Sequence, residues 1–150
     1  MKKLPMQEAE FRGLARIARR LEFFRTYKGD QLETVLAHIQ LYAFDRGETI
    51  FKGGEASDAF YLIYQGSVRI KLKSRFWGLI RTFAQLGSGD LFGEMGLLEH
   101  RKRTGTAIAV EPTTTFVLLR EDFDKLVKTD PDFADLMQFI SSRRKFETSH

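Results

Sequence analysis

"AFYLIYQGSVRIKLKS", residues Ala59 to Ser74, holds two short segments of period two, one on each side of Gly66. In the second, Val68, Ile70 and Leu72 alternate with Arg69, Lys71 and Lys73, as in a strand with one face in a core. The pattern recurs from Leu41 onward in LYAF, ETIFK, LIRTFAQL, TAIAV and TTTFVLLR, and eleven of the twelve glycines fall between Gly29 and Gly105. Turns punctuate this middle region, so a small antiparallel barrel or sandwich is expected there.

Both flanks read as helical. Phe11, Leu14, Ile17, Leu21 and Phe24 recur at spacings of three and four with arginines between them, which predicts an amphipathic helix. A second helix is expected after it, with Asp30 as its cap, Glu33 completing a capping box, and Leu32, Val35, Leu36 and Ile39 as its apolar stripe. After Arg120 the helical period returns in Phe123, Leu126 and Val127, then in Phe133, Leu136, Met137 and Ile140, with a break at Asp130-Pro131. The expected fold is α+β and mainly β: an antiparallel, jelly-roll-like β-roll between N-terminal and C-terminal helices. Residues 1–30 are read as a basic helical extension and residues 31–150 as the main domain of one globular unit.

Composition excludes several classes of function. The chain has 150 residues, 43% of them hydrophobic, which suits one domain with one good core. It has no cysteine, hence no disulfide framework, thiolate metal site or cysteine nucleophile. His38, His100 and His150 are too scattered for a metal cluster. No apolar run reaches membrane-spanning or signal-peptide length, and a cytoplasmic location is expected. Residues 1–30 carry 8 Lys/Arg against 4 Asp/Glu and the remainder carry 16 against 16, so the whole net charge of +4 lies in the first thirty residues. That confines any nucleic-acid attraction to Arg12, Arg16, Arg19 and Arg20, which as a helix face are more simply solvated.

The chemistry concentrates in "FGEMGLLEHRKRTGTAIA", Phe92 to Ala109. Gly93 permits a tight bend, and Glu94 then offers a carboxylate to neighbouring hydroxyls. GLLE can form one helical turn with its first N–H groups toward an anion. Arg103 supplies a planar fork of donors suited to paired phosphate oxygens, and the small residues Thr104, Gly105 and Thr106 leave backbone donors accessible. A sugar hydroxyl on one side and a phosphate on the other fit a ribose cyclic phosphate. An ion pair between loops is the plainer alternative for Glu94 and Arg103. Arg101 and Lys102 read as a solvated loop tip and His100 as exposed, while Phe76 and Trp77 in SRFWG form either a partner patch or a fold-back onto the roll.

This segment resembles the phosphate-binding cassette of the cyclic-nucleotide-binding domain family, found in protein kinase A regulatory subunits, the catabolite activator protein and cyclic-nucleotide-gated channels. Phe92, Gly93, Glu94, Met95, Gly96, Leu97, Leu98, Arg103, Thr104 and Thr106 fall on its pattern. FDRGETIFKGGEASDAFYLIYQGSVRI is similar to the family's early strands. One position departs: Gly105 stands where the family usually has alanine, and a more flexible loop with a weaker ligand contact is expected there.

The resemblance implies a ligand site of Gly93, Glu94, Met95, Gly96, Leu97, Arg103, Thr104, Gly105 and Thr106, with Glu94 on the ribose 2′-hydroxyl, Arg103 on the exocyclic phosphate oxygens, and backbone N–H groups of Gly96, Thr104 and Gly93 completing it. It implies cyclic AMP as the ligand, with cyclic GMP second because Thr104 resembles the cyclic-GMP-responsive branch. No metal and no catalytic residue are implied, so the expectation is a binding module and not an enzyme. Too few residues follow Arg120 for a helix-turn-helix domain, and the expectation is a free-standing sensor that signals to a partner protein. A C-terminal lid, with Asp130 to Phe146 reordering about Pro131, would carry the signal. The rival readings are a ligand-free interaction module of the same fold and a nucleic-acid-associated protein acting through the first helix; a hydrolase is disfavoured for want of a general base or metal ligands.

Overall fold

The computed structural model describes residues 1–20, 29–73 and 80–138. In chain order these form β1 (Lys2–Leu4), α1 (Glu8–Arg20), α2 (Gly29–Leu36), β2 (Gln40–Phe44), β3 (Thr49–Phe51), β4 (Ala59–Gln65), β5 (Val68–Lys73), β6 (Ile80–Leu86), β7 (Leu91–Phe92), α3 (Glu94–Leu98), β8 (Gly105–Ala109), β9 (Thr113–Leu119) and α4 (Arg120–Thr129). A further helical stretch covers residues 131–138. The strands make two antiparallel sheets, in the orders β1-β2-β9-β4-β7 and β3-β8-β5-β6. This is the antiparallel β-roll with flanking helices expected from the sequence.

The two halves of Ala59–Ser74 belong to different sheets. Gly66, with φ of +113°, carries the chain from β4 in the first to β5 in the second, a turn an L side chain would strain. The five-stranded sheet is covered on both faces, which is why β4 is apolar almost throughout. Phe60 and Leu62 of β4 and Phe116 and Leu118 of β9 pack with Leu14, Ala18, Val35, Leu36, Phe123, Leu126 and Phe133 of the helical layer. Ala59, Tyr61 and Ile63, one residue out of step, point between the sheets toward Phe51, Val68, Phe92, Ala107 and Ala109. Leu14 and Ala18 thus share a cluster with α2 and the first sheet.

Several local expectations shift. β1 and β7 were not legible, because β1 has two lysines in three residues and β7 has only two residues; each exists through its partner, Leu4 opposite Leu41 and Phe92 opposite Tyr61. Asp30 lies in the first turn of α2 instead of capping it, and its carbonyl accepts from the Thr34 hydroxyl at 3.0 Å. Phe11 is exposed, since α1 turns its small residues Gly13 and Ala18 inward; a Cβ at Gly13 would meet the Tyr64 ring at 2.8 Å. Arg12, Arg16, Arg19 and Arg20 are exposed, as a solvated face requires. Leu21, Phe24, Phe76, Trp77, Ile140 and Phe146 lie outside the described residues. No helix among the described residues is long and apolar enough to cross a membrane.

Candidate functional site

Gly93 ends β7 with φ of +83° and delivers the chain into α3, whose first residue is Glu94. The helical turn therefore starts two residues before the expected GLLE. The loop after α3 passes His100, at φ of +51°, and returns Arg103 beneath the turn before β8 begins at Gly105. Residues 53–55 hold this return: Gly54 N–H donates to Arg103 O at 2.7 Å, Arg103 N–H donates to Glu55 O at 2.8 Å, and Gly53 N–H donates to the Thr106 hydroxyl at 3.0 Å.

Arg103 is buried, only 5% exposed. Its Nη1 donates to Gly93 O at 2.5 Å, its Nη2 donates to Ala59 O, and Nη2 lies 3.7 Å from the Asp58 carboxylate. The guanidinium carbon stands 4.2 Å over the Phe51 ring, in cation–π contact. Phe51 tilts against both Tyr61 and Phe92, and the latter two stack at 4.9 Å. Nε is buried with no hydrogen-bond partner among the described residues. Burial lowers the guanidinium pKa, against which Tyr61 and Asp58 favour the charged form. The same aromatic setting, with Asp58 adding to it, pushes the Tyr61 phenol up to about 12.

Above Arg103 opens a cavity of about 510 Å³. Gly93, Glu94, Gly96, Thr104 and Gly105 line it with Arg103, so six of the expected site residues meet there. Glu94 is itself buried. Leu97 does not join them: it is fully buried on the opposite side of α3, packed in the helical core. Thr106 is not in the wall either, its hydroxyl being held by Gly53. Met95 lies within α3 between Glu94 and Gly96. Gly96 is hemmed in, since a Cβ there would come 2.0 Å from the Ser57 hydroxyl oxygen.

Gly105 does not loosen a loop. It is buried in β8 opposite Leu72, and a Cβ would come 2.8 Å from Leu72 Cδ2 and 3.0 Å from Lys71 O. Arg101 and Lys102 are exposed as expected yet border the cavity, and Arg101 Nε pairs with Glu99 at 2.9 Å. His100 is exposed too, with its Nδ1 3.0 Å from Arg120 Nη1.

Sequence reasoning missed the apolar wall formed by Ile70, Leu72, Ala84, Leu86 and Leu91. The alternation of Ile70 with Leu72 shows that both share a face, but which β6 residues meet them depends on a register that shifts between Ile70 and Lys71. None of the described residues after Arg120 lines the cavity; Phe133 packs edge-on against Phe123 at 5.7 Å. The site can thus hold a flat apolar group along β5 and β6, a hydroxyl near Glu94 and an anion over Arg103. Among the described residues no group of three or more metal-ligating side chains occurs.

Residues 42–130, more than half of the chain, match the profile of the cyclic nucleotide-binding domain. The chain belongs to that family. It is 36% identical over 115 residues to the cyclic AMP receptor protein of Thermus thermophilus, covering 77% of this chain and 53% of the relative. It is 32% identical over 123 residues to the cGMP-dependent protein kinase, isozyme 1, of Drosophila melanogaster, covering 77% of this chain and 16% of the kinase. Among solved structures, the Thermus thermophilus catabolite activator protein superposes with a TM-score of 0.75 at 34% identity, covering 85% of this chain and 59% of that one. A cyclic nucleotide-binding domain from Methylobacillus flagellatus shares the fold with a TM-score of 0.82 at 23% identity, covering 98% of this chain and 84% of that one. The domain therefore spans about half the length of the Thermus relative.

Proposed function

We propose that this domain captures a cyclic nucleoside monophosphate, cyclic AMP before cyclic GMP, and relays its capture to a partner protein through its helices without chemistry on the ligand. The observation that carries this reading is Arg103: a buried guanidinium in the lining of an apolar cavity, with the buried Glu94 in the same lining. A desolvated guanidinium attracts phosphate far more strongly than an exposed one, and its fork matches two phosphate oxygens.

In this reading Arg103 takes the exocyclic oxygens, Glu94 accepts from the ribose 2′-hydroxyl, and backbone donors at Gly96 and Thr104 complete the cradle. Ile70, Leu72, Ala84 and Leu86 receive the base. Thr104, which lines the cavity, can accept from a guanine 2-amino group, so cyclic GMP is tolerated. The relay is assigned to α4 and the segment from Asp130 to Phe146, with Pro131 as the hinge.

Isothermal titration of the chain with cyclic AMP and with cyclic GMP tests the reading. Saturable heat with a 1:1 stoichiometry is expected, tighter for cyclic AMP, and nucleotide recovered unchanged after long incubation. Absence of heat with both nucleotides would leave a ligand-free interaction module of the same fold.

A further inference from the structure

We propose that Arg120 is a positioning residue that fastens the start of α4 to both sides of the ligand end of the domain, so that events at Arg103 reach the helix. This rests on reading Arg103 as the phosphate anchor. Arg120 is the first residue of α4. Its Nε donates to Ser57 O at 2.8 Å, its backbone N–H donates to Asp58 O at 2.8 Å, and its Nη1 meets His100 Nδ1 at 3.0 Å. An arginine can only donate, so in this contact His100 Nδ1 is the acceptor.

The segment 57–59 is thus held from two directions. Arg103 grips it through Ala59 O and the Asp58 carboxylate, and Arg120 grips it through Ser57 O and Asp58 O. The Ser57 hydroxyl also donates to Arg101 O at 2.6 Å, joining the segment to the loop that carries Arg103. A phosphate drawing on the Arg103 donors competes with Ala59 and Asp58 for them. The segment then shifts, and Arg120, bonded to the segment and to His100, transmits the shift to α4. Neither Arg120 nor His100 lines the cavity, so both can be altered without touching the ligand.

The test compares wild type, Arg120→Lys and His100→Gly by amide exchange with and without cyclic AMP. A lysine cannot span both acceptors, and glycine retains the positive φ at position 100 while removing the imidazole. Both variants should bind cyclic AMP within about threefold of wild type, while the exchange response of residues 120–126 drops to less than about half. An undiminished response in both variants overturns the proposal, as does a wild-type α4 that does not respond, or loss of binding in step with loss of response. If wild type binds neither nucleotide by calorimetry, the proposed function fails, and the fastening is judged on the unliganded chain. There the Arg101 and Arg103 amides, bonded to Gly96 O and Glu55 O, should exchange about tenfold faster in Arg120→Lys, and equal rates overturn it.

Discussion

Leu72 Cδ2 lies 2.8 Å from where a Cβ on Gly105 would sit, and both residues wall the same cavity. The family's usual alanine at this position would therefore collide with a leucine that this chain has placed on the neighbouring strand. Gly105→Ala should destabilise the fold by about 1–3 kcal/mol, the usual range for overpacking, and weaken nucleotide binding by displacing Leu72. Adding Leu72→Val should recover most of the loss. Thermal denaturation of the single and double variants reads both effects, and an unchanged midpoint for Gly105→Ala would show that the space is not limiting.

The same pair shows where sequence stops being sufficient. The strands were legible because Val68, Ile70 and Leu72 alternate with cations, and the candidate site could be proposed because Gly93, Glu94 and Arg103 lie close together in one segment. Gly105 looked permissive because a glycine's freedom is a local property, whereas its confinement by Leu72 depends on pairing with a strand residue 33 positions earlier in the chain. Leu97 looked like a site residue for the converse reason: it stands inside the motif, but the helical turn aims it at the core. The apolar wall depends on register, which the irregularity in β5 hides from any periodicity argument.

Arg103 is held by two carbonyls and a ring, so its replacement removes a preorganised donor and not merely a charge. Arg103→Ala should weaken cyclic AMP binding by about 2–5 kcal/mol, and Arg103→Lys should recover little because a single ammonium cannot form the fork. Glu94→Ala removes one charge-assisted bond to a hydroxyl and should cost less, about 1.5–3 kcal/mol. Titration calorimetry of the three variants checks the order; Arg103→Ala binding as tightly as wild type would refute the phosphate assignment.

Tyr61 gives the fold an alkaline limit. Its phenol is buried between Phe51 and Phe92, and its pKa is pushed up to about 12 chiefly by that burial. In the unfolded chain a tyrosine ionises near 10, so the folded state holds this proton more tightly. The resulting stabilisation is complete below about pH 10 and is lost as pH rises toward 12, amounting to about 2–3 kcal/mol. Urea unfolding at a series of alkaline pH values should show a steeper decline for wild type than for Tyr61→Phe. Parallel slopes would mean that the phenol is not held protonated.

Thr104 lines the cavity directly after Arg103, the proposed phosphate anchor, and its bearing on nucleotide choice can be bounded. The Ile70, Leu72, Ala84 and Leu86 side chains of the cavity wall carry no hydrogen-bonding group, so they cannot tell adenine from guanine by hydrogen bonds. A hydroxyl that accepts from the guanine 2-amino group adds a neutral hydrogen bond, worth about 0.5–1.5 kcal/mol net, which sets its effect on preference at about tenfold or less. Thr104→Ala should therefore weaken cyclic GMP binding by up to about tenfold and leave cyclic AMP nearly unchanged, because adenine carries no 2-amino group. Competition between the two nucleotides on wild type and variant measures the shift. If cyclic GMP affinity holds steady in Thr104→Ala, the threonine does not read the base, and any discrimination belongs to the apolar wall.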